Sequence, residues 1–183
     1  MRVIHTLNLF LQTIQIPGDV IELGVSRGTT TFPLSGVMYE RTPKKVLYAC
    51  DTFSGLPYDD SMVNGHEMKK GECNGGHVFK NLFNILKPVN IQMVEGLVEN
   101  TLEQQLGQKQ FCFAWVDMDL YQPTSFAYKF LENRMVVGGI IGFHDYQFIR
   151  CPGIAQVVDF ELNKEKYQQI FLKDNCIYFR RMK

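Results

Sequence analysis

Four side chains in two short stretches of this 183-residue chain could do chemistry together: Asp117 and Asp119 in VDMDLY, and His144 and Asp145 in FHDY. Each stretch follows an apolar run, Phe111 to Val116 and Gly138 to Phe143, of the kind that forms buried parallel strands. Adjacent parallel strands end at one sheet edge, so the three acids and the imidazole can converge there. An oxygen-rich cluster with an open position suits Mg²⁺, which keeps several waters and takes one or two carboxylates. An added imidazole moves the preference toward Mn²⁺, Zn²⁺ or Fe²⁺. The Asp-x-Asp spacing leaves one carboxylate to hold metal and the other to act as base on a hydroxyl whose pKa the metal lowers. A structural assignment competes with this one. Acids at strand ends often cap the following helix, and a single histidine is more often hydrogen-bonded in place than a ligand.

A second candidate is the stretch Gly18 to Thr31, GDVIELGVSRGTTT, which reads as a buried strand, a glycine-containing turn and a helix. Such a turn lies at the carboxyl edge of an open α/β sheet, where ligands bind. The glycines are spaced Gly24-x3-Gly28, without the GxGxxG pattern that seats a pyrophosphate. Glu22, inside the strand, is an acceptor-only carboxylate and suits a cationic or hydrogen-bond-donating ligand. S-adenosylmethionine offers such groups in its ammonium, sulfonium and ribose diol. The same stretch also reads as a joint that binds nothing. Asp51 ends a further apolar run, VLYAC, where an acid can accept from a ribose diol; aspartate also caps turns.

Strands and helices must carry these groups. A short amphipathic helix is expected over 3–16, ended by Pro17-Gly18. A helix of poor propensity follows over Thr29 to Glu40, with Pro33 tolerable only near its start. Thr52 to Gly76 is rich in Gly, Asp and Ser, lacks either periodicity and reads as a lid-like loop over 52–76. Helices are expected over His77 to Leu86, from near Asn100, from Pro123 to about Met135, and from Cys151 to about Asn163. Ile91 to Val94 is a further strand. YQQIFL and CIYFR at the end read as a hairpin closed by a tight turn. The alternation predicts one α/β domain over 1–183, a mostly parallel sheet with helices on both faces and an antiparallel edge.

Composition narrows the partners. The chain is 45% apolar and 13% aromatic, enough for one substantial core. Its 19 Lys and Arg balance 19 Asp and Glu, so no overall field recommends nucleic acid or an anionic membrane. No apolar run is long enough to span a bilayer, and no cleavage site follows the first apolar stretch, so no signal peptide is expected. Five cysteines without zinc-ligand spacing read as reduced thiols, mostly in the core, which fits a cytoplasmic location.

With these residues assembled, the chain resembles the macrocin O-methyltransferase family of class I methyltransferases. The resemblance is carried by GDVIELGVSRGTTT, ACDTFSGLP, EGLVENTL, the stretch WVDMDLYQPTSFAYKFLENRMVVGGIIGFHDY and PGIAQVVDF, in the family's order from Gly18 to Phe160. It implies a Rossmann-like, seven-stranded sheet whose terminal hairpin is antiparallel. It implies an S-adenosylmethionine pocket formed by Glu22, Gly24, Ser26, Thr29, Asp51, Thr52, Ser54, Gly55, Gly96 and Asp117. It further implies a divalent metal, Mg²⁺ first and Mn²⁺ second, held by Asp117, His144 and Asp145, with Asp119 as general base. The chain departs from the family at His144-Asp145, where two adjacent aspartates are usual. It departs again in the short segment before the first strand, which leaves the acceptor pocket to residues 56–76 or to another subunit of a homo-oligomer. The expected reaction is methyl transfer to a hydroxyl of a sugar or glycosylated small molecule. A catechol-type O-methyltransferase is the nearest alternative, a non-catalytic nucleoside-binding module the next, and a nicotinamide oxidoreductase the third.

Overall fold

The strands β1 (Asp19–Leu23), β2 (Leu47–Asp51), β5 (Ile91–Glu95), β6 (Phe111–Val116) and β7 (Met135–Phe143) are parallel, and β8 (Tyr167–Ile170) and β9 (Ile177–Arg181) add an antiparallel edge. They form one seven-stranded sheet in the order β5-β2-β1-β6-β7-β9-β8. This is a computed structural model, which describes residues 2–61 and 67–183. The sheet order reverses between β1 and β6, and a crevice at the carboxyl ends of such a pair is where open sheets take ligands.

Side-chain alternation along the strands supplies a core to each face. Ile21, Leu23, Ala114, Val116, Ile141 and Phe143 meet α4 (Val98–Leu106), α5 (Tyr121–Glu132) and α6 (Pro152–Gln156) on one side. Val20, Leu47, Ala49, Phe113, Trp115 and Ile140 meet α1 (Arg2–Leu11), α2 (Thr31–Arg41) and α3 (Gly76–Leu86) on the other. Every residue of β6 is buried, as a central strand covered on both faces requires. Among the described residues no helix is long and apolar enough to cross a membrane.

Several boundaries differ from the sequence reading, each for a local reason. The first helix stops at Leu11 instead of 16, because the Thr13 hydroxyl and amide both bond the Phe10 carbonyl and turn the chain away. The second begins at Thr31, two residues after the expected start, which puts Pro33 in its first turn. α5 begins at Tyr121 and ends at Glu132, so that β7 starts at Met135 instead of Gly138. β7 then bulges: Phe111 pairs with Met135 but Phe113 with Ile140, with Gly138 at φ +85° in the slack. The last helix widens into a π-turn over Val157–Glu161, where the Leu162 amide reaches the Val157 carbonyl.

The C-terminal strands are joined by residues 171–176, not by a tight turn. Asp174 organises this connection, accepting from the Cys176 amide and binding His5 of α1 at 2.6 Å. The 52–76 segment carries one small antiparallel ribbon, β3 (Asp60–Ser61) with β4 (Glu67–Met68); residues 62–66 of the expected lid lie outside the described residues. Four cysteines are buried, and Cys73 is exposed.

Candidate active site

A cavity of about 420 Å³ opens at the carboxyl edge between β1 and β6. Glu22, Gly24, Ser26, Thr29, Asp51, Thr52, Gly55, Gly96, Asp117, Asp119, His144 and Asp145 all line it. Ser54 does not. It borders a shallow neighbouring depression with Lys70 and Glu95, because Thr52 and Gly55 close a turn on each other and point Ser54 outward.

The backbone around this cavity is held in unusual conformations. Ser26, Phe53, Cys73, Asp119 and Asp145 have φ between +48° and +62°, a region costly for residues with a Cβ. Such outliers persist only where surrounding bonds over-determine them, and they cluster at functional sites. Gly24 is at φ +86°, and a Cβ there would fall 1.9 Å from the Asp117 carbonyl oxygen. Its amide bonds the Cys50 carbonyl while the Asp117 amide bonds Leu23. Gly24 therefore clamps the ends of β1, β2 and β6 together, which only glycine permits.

The β1–β2 side of the cavity contains two differently treated acids. Asp51 is fully engaged: one carboxylate oxygen accepts from the amides of Val25 (2.6 Å) and Ser26 (2.8 Å), the other from the Phe53 amide (2.7 Å). Its first duty is to shape the two loops. Glu22 is the opposite case. It is 2% exposed, and its Oε2 has no hydrogen-bond partner. Burial raises its pKa to about 8, with the charges of Asp117 and Asp51 adding to the rise against the Thr31 hydroxyl and Arg2. A buried oxygen left open on a cavity wall is costly unless a ligand donor meets it. The donor groups of S-adenosylmethionine fit that requirement.

The β6–β7 side is a network of charges. Asp117 Oδ1 and Asp145 Oδ2 lie 2.9 and 3.0 Å from His144 Nδ1. Burial alone would lower the His144 pKa, but the two carboxylates outweigh it and hold it up at about 9. Arg2, from the first turn of α1, reaches His144 Nε2 at 2.7 Å and lies 3.8 Å from Asp117 Oδ2. The ring is thus edged by two carboxylates at Nδ1 and by the guanidinium at Nε2. Asp119 stands beside this network. Burial first, then the charge of Asp117, raises its pKa to about 6, and Cys151 Sγ is 3.7 Å from its Oδ1.

The ligand atoms of Asp117, His144 and Asp145 do converge within 4.8 Å, as the sequence spacing suggests. Two carboxylates and an imidazole so grouped could hold a divalent ion, binding of which would release the ring proton between them. Asp119, Asp145 and Cys151 form a second group of the same kind.

Arg2 is the wall residue that sequence reasoning missed. It belongs to a segment read only as an amphipathic helix, and no local spacing links it to a residue 142 positions away. The near part of the 52–76 segment is also tied to the rim. Ser26 Oγ donates to the Cys73 carbonyl, and Arg150 pairs with Glu72 at 2.8 Å.

Comparison with known proteins agrees with this architecture. The solved structure of the O-methyltransferase NovP superposes with a TM-score of 0.81 at 20% identity, covering 100% of this chain and 80% of that one. The calicheamicin methyltransferase CalS11 superposes with a TM-score of 0.83 at 20% identity, covering 98% and 78%. Among curated proteins, a tetracenomycin 4'-O-methyltransferase from Streptomyces olivaceus, whose name specifies a 2,3-dimethoxy-rhamnosyl substrate, is 28% identical over 148 residues. That match spans 74% of this chain and 56% of the relative. The model of the macrocin O-methyltransferase (TylF) family matches residues 2–181. The chain belongs to the macrocin O-methyltransferase family.

Proposed function

We propose that this protein is an S-adenosylmethionine-dependent O-methyltransferase acting on a hydroxyl of a sugar or a glycosylated small molecule. The observation that carries the reading is a pair of acids that line one cavity from its two sides. Glu22 is an open, buried acceptor beside the β1 turn. Asp119 is a strained, half-buried carboxylate whose pKa of about 6 leaves it ionised, yet basic, at neutral pH. The family, and the rhamnosyl substrate named for the Streptomyces relative, support a sugar acceptor.

When bound, S-adenosylmethionine supplies an electrophilic methyl on sulfur, whose thioether leaves without acid assistance. The chain's own contribution is alignment and proton removal. Glu22 accepts from a donor of the bound molecule. Asp51, by fixing the amides of Val25, Ser26 and Phe53, holds both loops that line the pocket. Gly55 and Gly96 line the same pocket. Asp119 takes the proton of the acceptor hydroxyl as its oxygen attacks.

The test is calorimetric titration with S-adenosylhomocysteine, followed by transfer of labelled methyl from S-adenosylmethionine to a panel of deoxysugar nucleotides, rhamnosides and catechols. Micromolar binding with label on a sugar is the expected result. Label on catechols alone would overturn the acceptor class, and absence of binding would overturn the methyltransferase reading.

A further inference from the structure

Two arginines line the cavity, and their surroundings differ. Arg2 is committed within the chain: it reaches His144 Nε2 at 2.7 Å and lies 3.8 Å from Asp117. Arg27, in the turn after β1, has no hydrogen bond or ion pair among the described residues. Its stem is nevertheless fixed. A Cβ at Gly75 would fall 2.4 Å from Arg27 Cγ and 2.6 Å from the Arg27 amide nitrogen, so the 73–76 segment lies directly on that stem. The Ser26 hydroxyl ties turn and segment together by donating to the Cys73 carbonyl at 3.0 Å. Beyond this clamp Arg27 is exposed. A guanidinium held by its stem, with its fork of donors free, is preorganised for an oxyanion, a phosphate or a carboxylate.

The same segment relates Arg27 to the base. Cys73 and Asn74 line the cavity beside Arg27, and the Cys73 thiol bonds the Asp119 carboxylate. The Cα atoms of residues 73 and 75 are at most about 7 Å apart. One acceptor molecule can therefore meet Asp119 with a ring hydroxyl and Arg27 with an anionic group on the far side of the same sugar ring. The carboxylate of the methyl donor is a poorer match. It shares a carbon with the donor's ammonium and so follows that group toward Glu22, which is 2% exposed. Arg27 stands on the open rim, where it meets a reactant that extends out of the cavity.

We propose that Arg27 anchors the diphosphate of a nucleotide-activated sugar, and that this, in place of a finished glycoside, is the acceptor. The inference rests on the methyltransferase reading above, with Glu22 taking the ammonium of the donor. In the reaction, the bond from the sugar oxygen to the methyl carbon forms as the carbon–sulfur bond breaks. The electron pair leaves on sulfur, and the hydroxyl proton goes to Asp119. The anomeric bond to the diphosphate is untouched. The methylated product keeps its leaving group, so the class of reaction that consumes it is glycosyl transfer.

Calorimetric titration of the purified protein, loaded with S-adenosylhomocysteine, with thymidine diphosphate and with uridine diphosphate reads the anchor without turnover. Submillimolar binding of at least one of them is expected. Arg27→Met should weaken it by about tenfold or more, the scale of a lost charge-assisted hydrogen bond. Arg27→Lys, which keeps the charge but not the fork, should weaken it less. Affinity for S-adenosylhomocysteine should stay within about twofold in both variants, which also shows that they fold. In turnover, KM for methyl rhamnoside should lie about tenfold or more above that for thymidine diphosphate rhamnose. No binding of either diphosphate, unchanged binding after Arg27→Met, or a KM for the glycoside no higher than for the sugar nucleotide overturns the inference. A comparable loss of S-adenosylhomocysteine affinity in Arg27→Met assigns the guanidinium to the donor's carboxylate and overturns it too. Failure of the unaltered protein to bind S-adenosylhomocysteine would instead strike the methyltransferase reading, whereas intact binding with label on the glycoside alone strikes only this one.

Discussion

The two sides of the cavity treat their acids in opposite ways. On the β6–β7 side, Asp117 and Asp145 meet His144 and Arg2 within the chain itself. On the β1–β2 side, Glu22 keeps one oxygen unpartnered although the residue is 2% exposed. A compensated network is complete without a visitor, and an uncompensated acceptor is not. The difference marks the β1 side as the place where ligand binding brings the largest electrostatic change. It marks the β6 side as preorganised, with Asp119 the one carboxylate there not flanked by a cation.

The sharpest way to break this contrast is at Asp119. Asp119→Asn removes the base while keeping the shape, so kcat should fall by about 10²–10⁴-fold, the usual contribution of a positioned base. Affinity for S-adenosylhomocysteine, measured by calorimetry, should stay within about twofold. The unaltered enzyme should also lose activity as pH falls through about 6, because that pKa governs the ionised form, and the residual rate of the variant should lack this limb. An unchanged kcat would remove Asp119 from the chemistry.

Gly24 is where the two sides are joined, and its replacement should come next in effect. In Gly24→Ala a Cβ would meet the Asp117 carbonyl at 1.9 Å, and the residue would be held at φ +86°. Backbone strain of this kind costs about 1–3 kcal/mol before the clash is counted. Melting should therefore drop by several degrees, and S-adenosylhomocysteine affinity should fall together with it. Asp51→Ala should be milder in the same direction. It strips three amides of their acceptor, a loss of about 1–3 kcal/mol. A role confined to a ribose would leave the melting temperature of the ligand-free protein untouched; the structure predicts a lower one.

Asp51 also illustrates how far the sequence could be read. An apolar run ending in an acid was enough to place Asp51 at the ligand edge, and the same logic placed Asp117, Asp119, His144 and Asp145 at one mouth. Period-two burial and strand–helix alternation are short-range signals, so the sheet and its parallel order followed from them. What an acid does once it arrives depends on partners far away in the chain. Asp51 meets the amides of Val25 and Ser26 and Asp174 meets His5, neither of which has a local signature. Arg2 is the extreme case, since it reaches His144 from a helix tied to Phe113, Asp174 and Tyr178, all far along the chain. Ser54 failed for the converse reason: a turn closed by Thr52 and Gly55 sends it outward although its neighbours in sequence line the cavity.

The finest test of the contrast is Glu22→Gln, whose effect is a change of slope. Glu22 titrates near 8 in the folded protein against 4.5 unfolded. Below 4.5 both states hold the proton, and the full stability is present. Between those values the unfolded chain releases a proton that the folded chain keeps, so stability falls as pH rises, and above 8 the loss is complete. The limiting slope is about 1.4 kcal/mol per pH unit. Glutamine has no such proton. Ligand-free Glu22→Gln should therefore match the unaltered protein near pH 4.5 and become the more stable of the two toward pH 8, by urea melts across that range. Binding should carry the same signature. A donor arriving at Glu22 favours its ionised form, so S-adenosylhomocysteine should displace a proton from the unaltered protein at neutral pH and none from Glu22 in the variant. Calorimetry in two buffers of different ionisation enthalpy reads that proton directly. Equal proton release from both proteins would mean that the open oxygen of Glu22 does not meet the ligand, and that the two sides of the cavity are less different than their charges suggest.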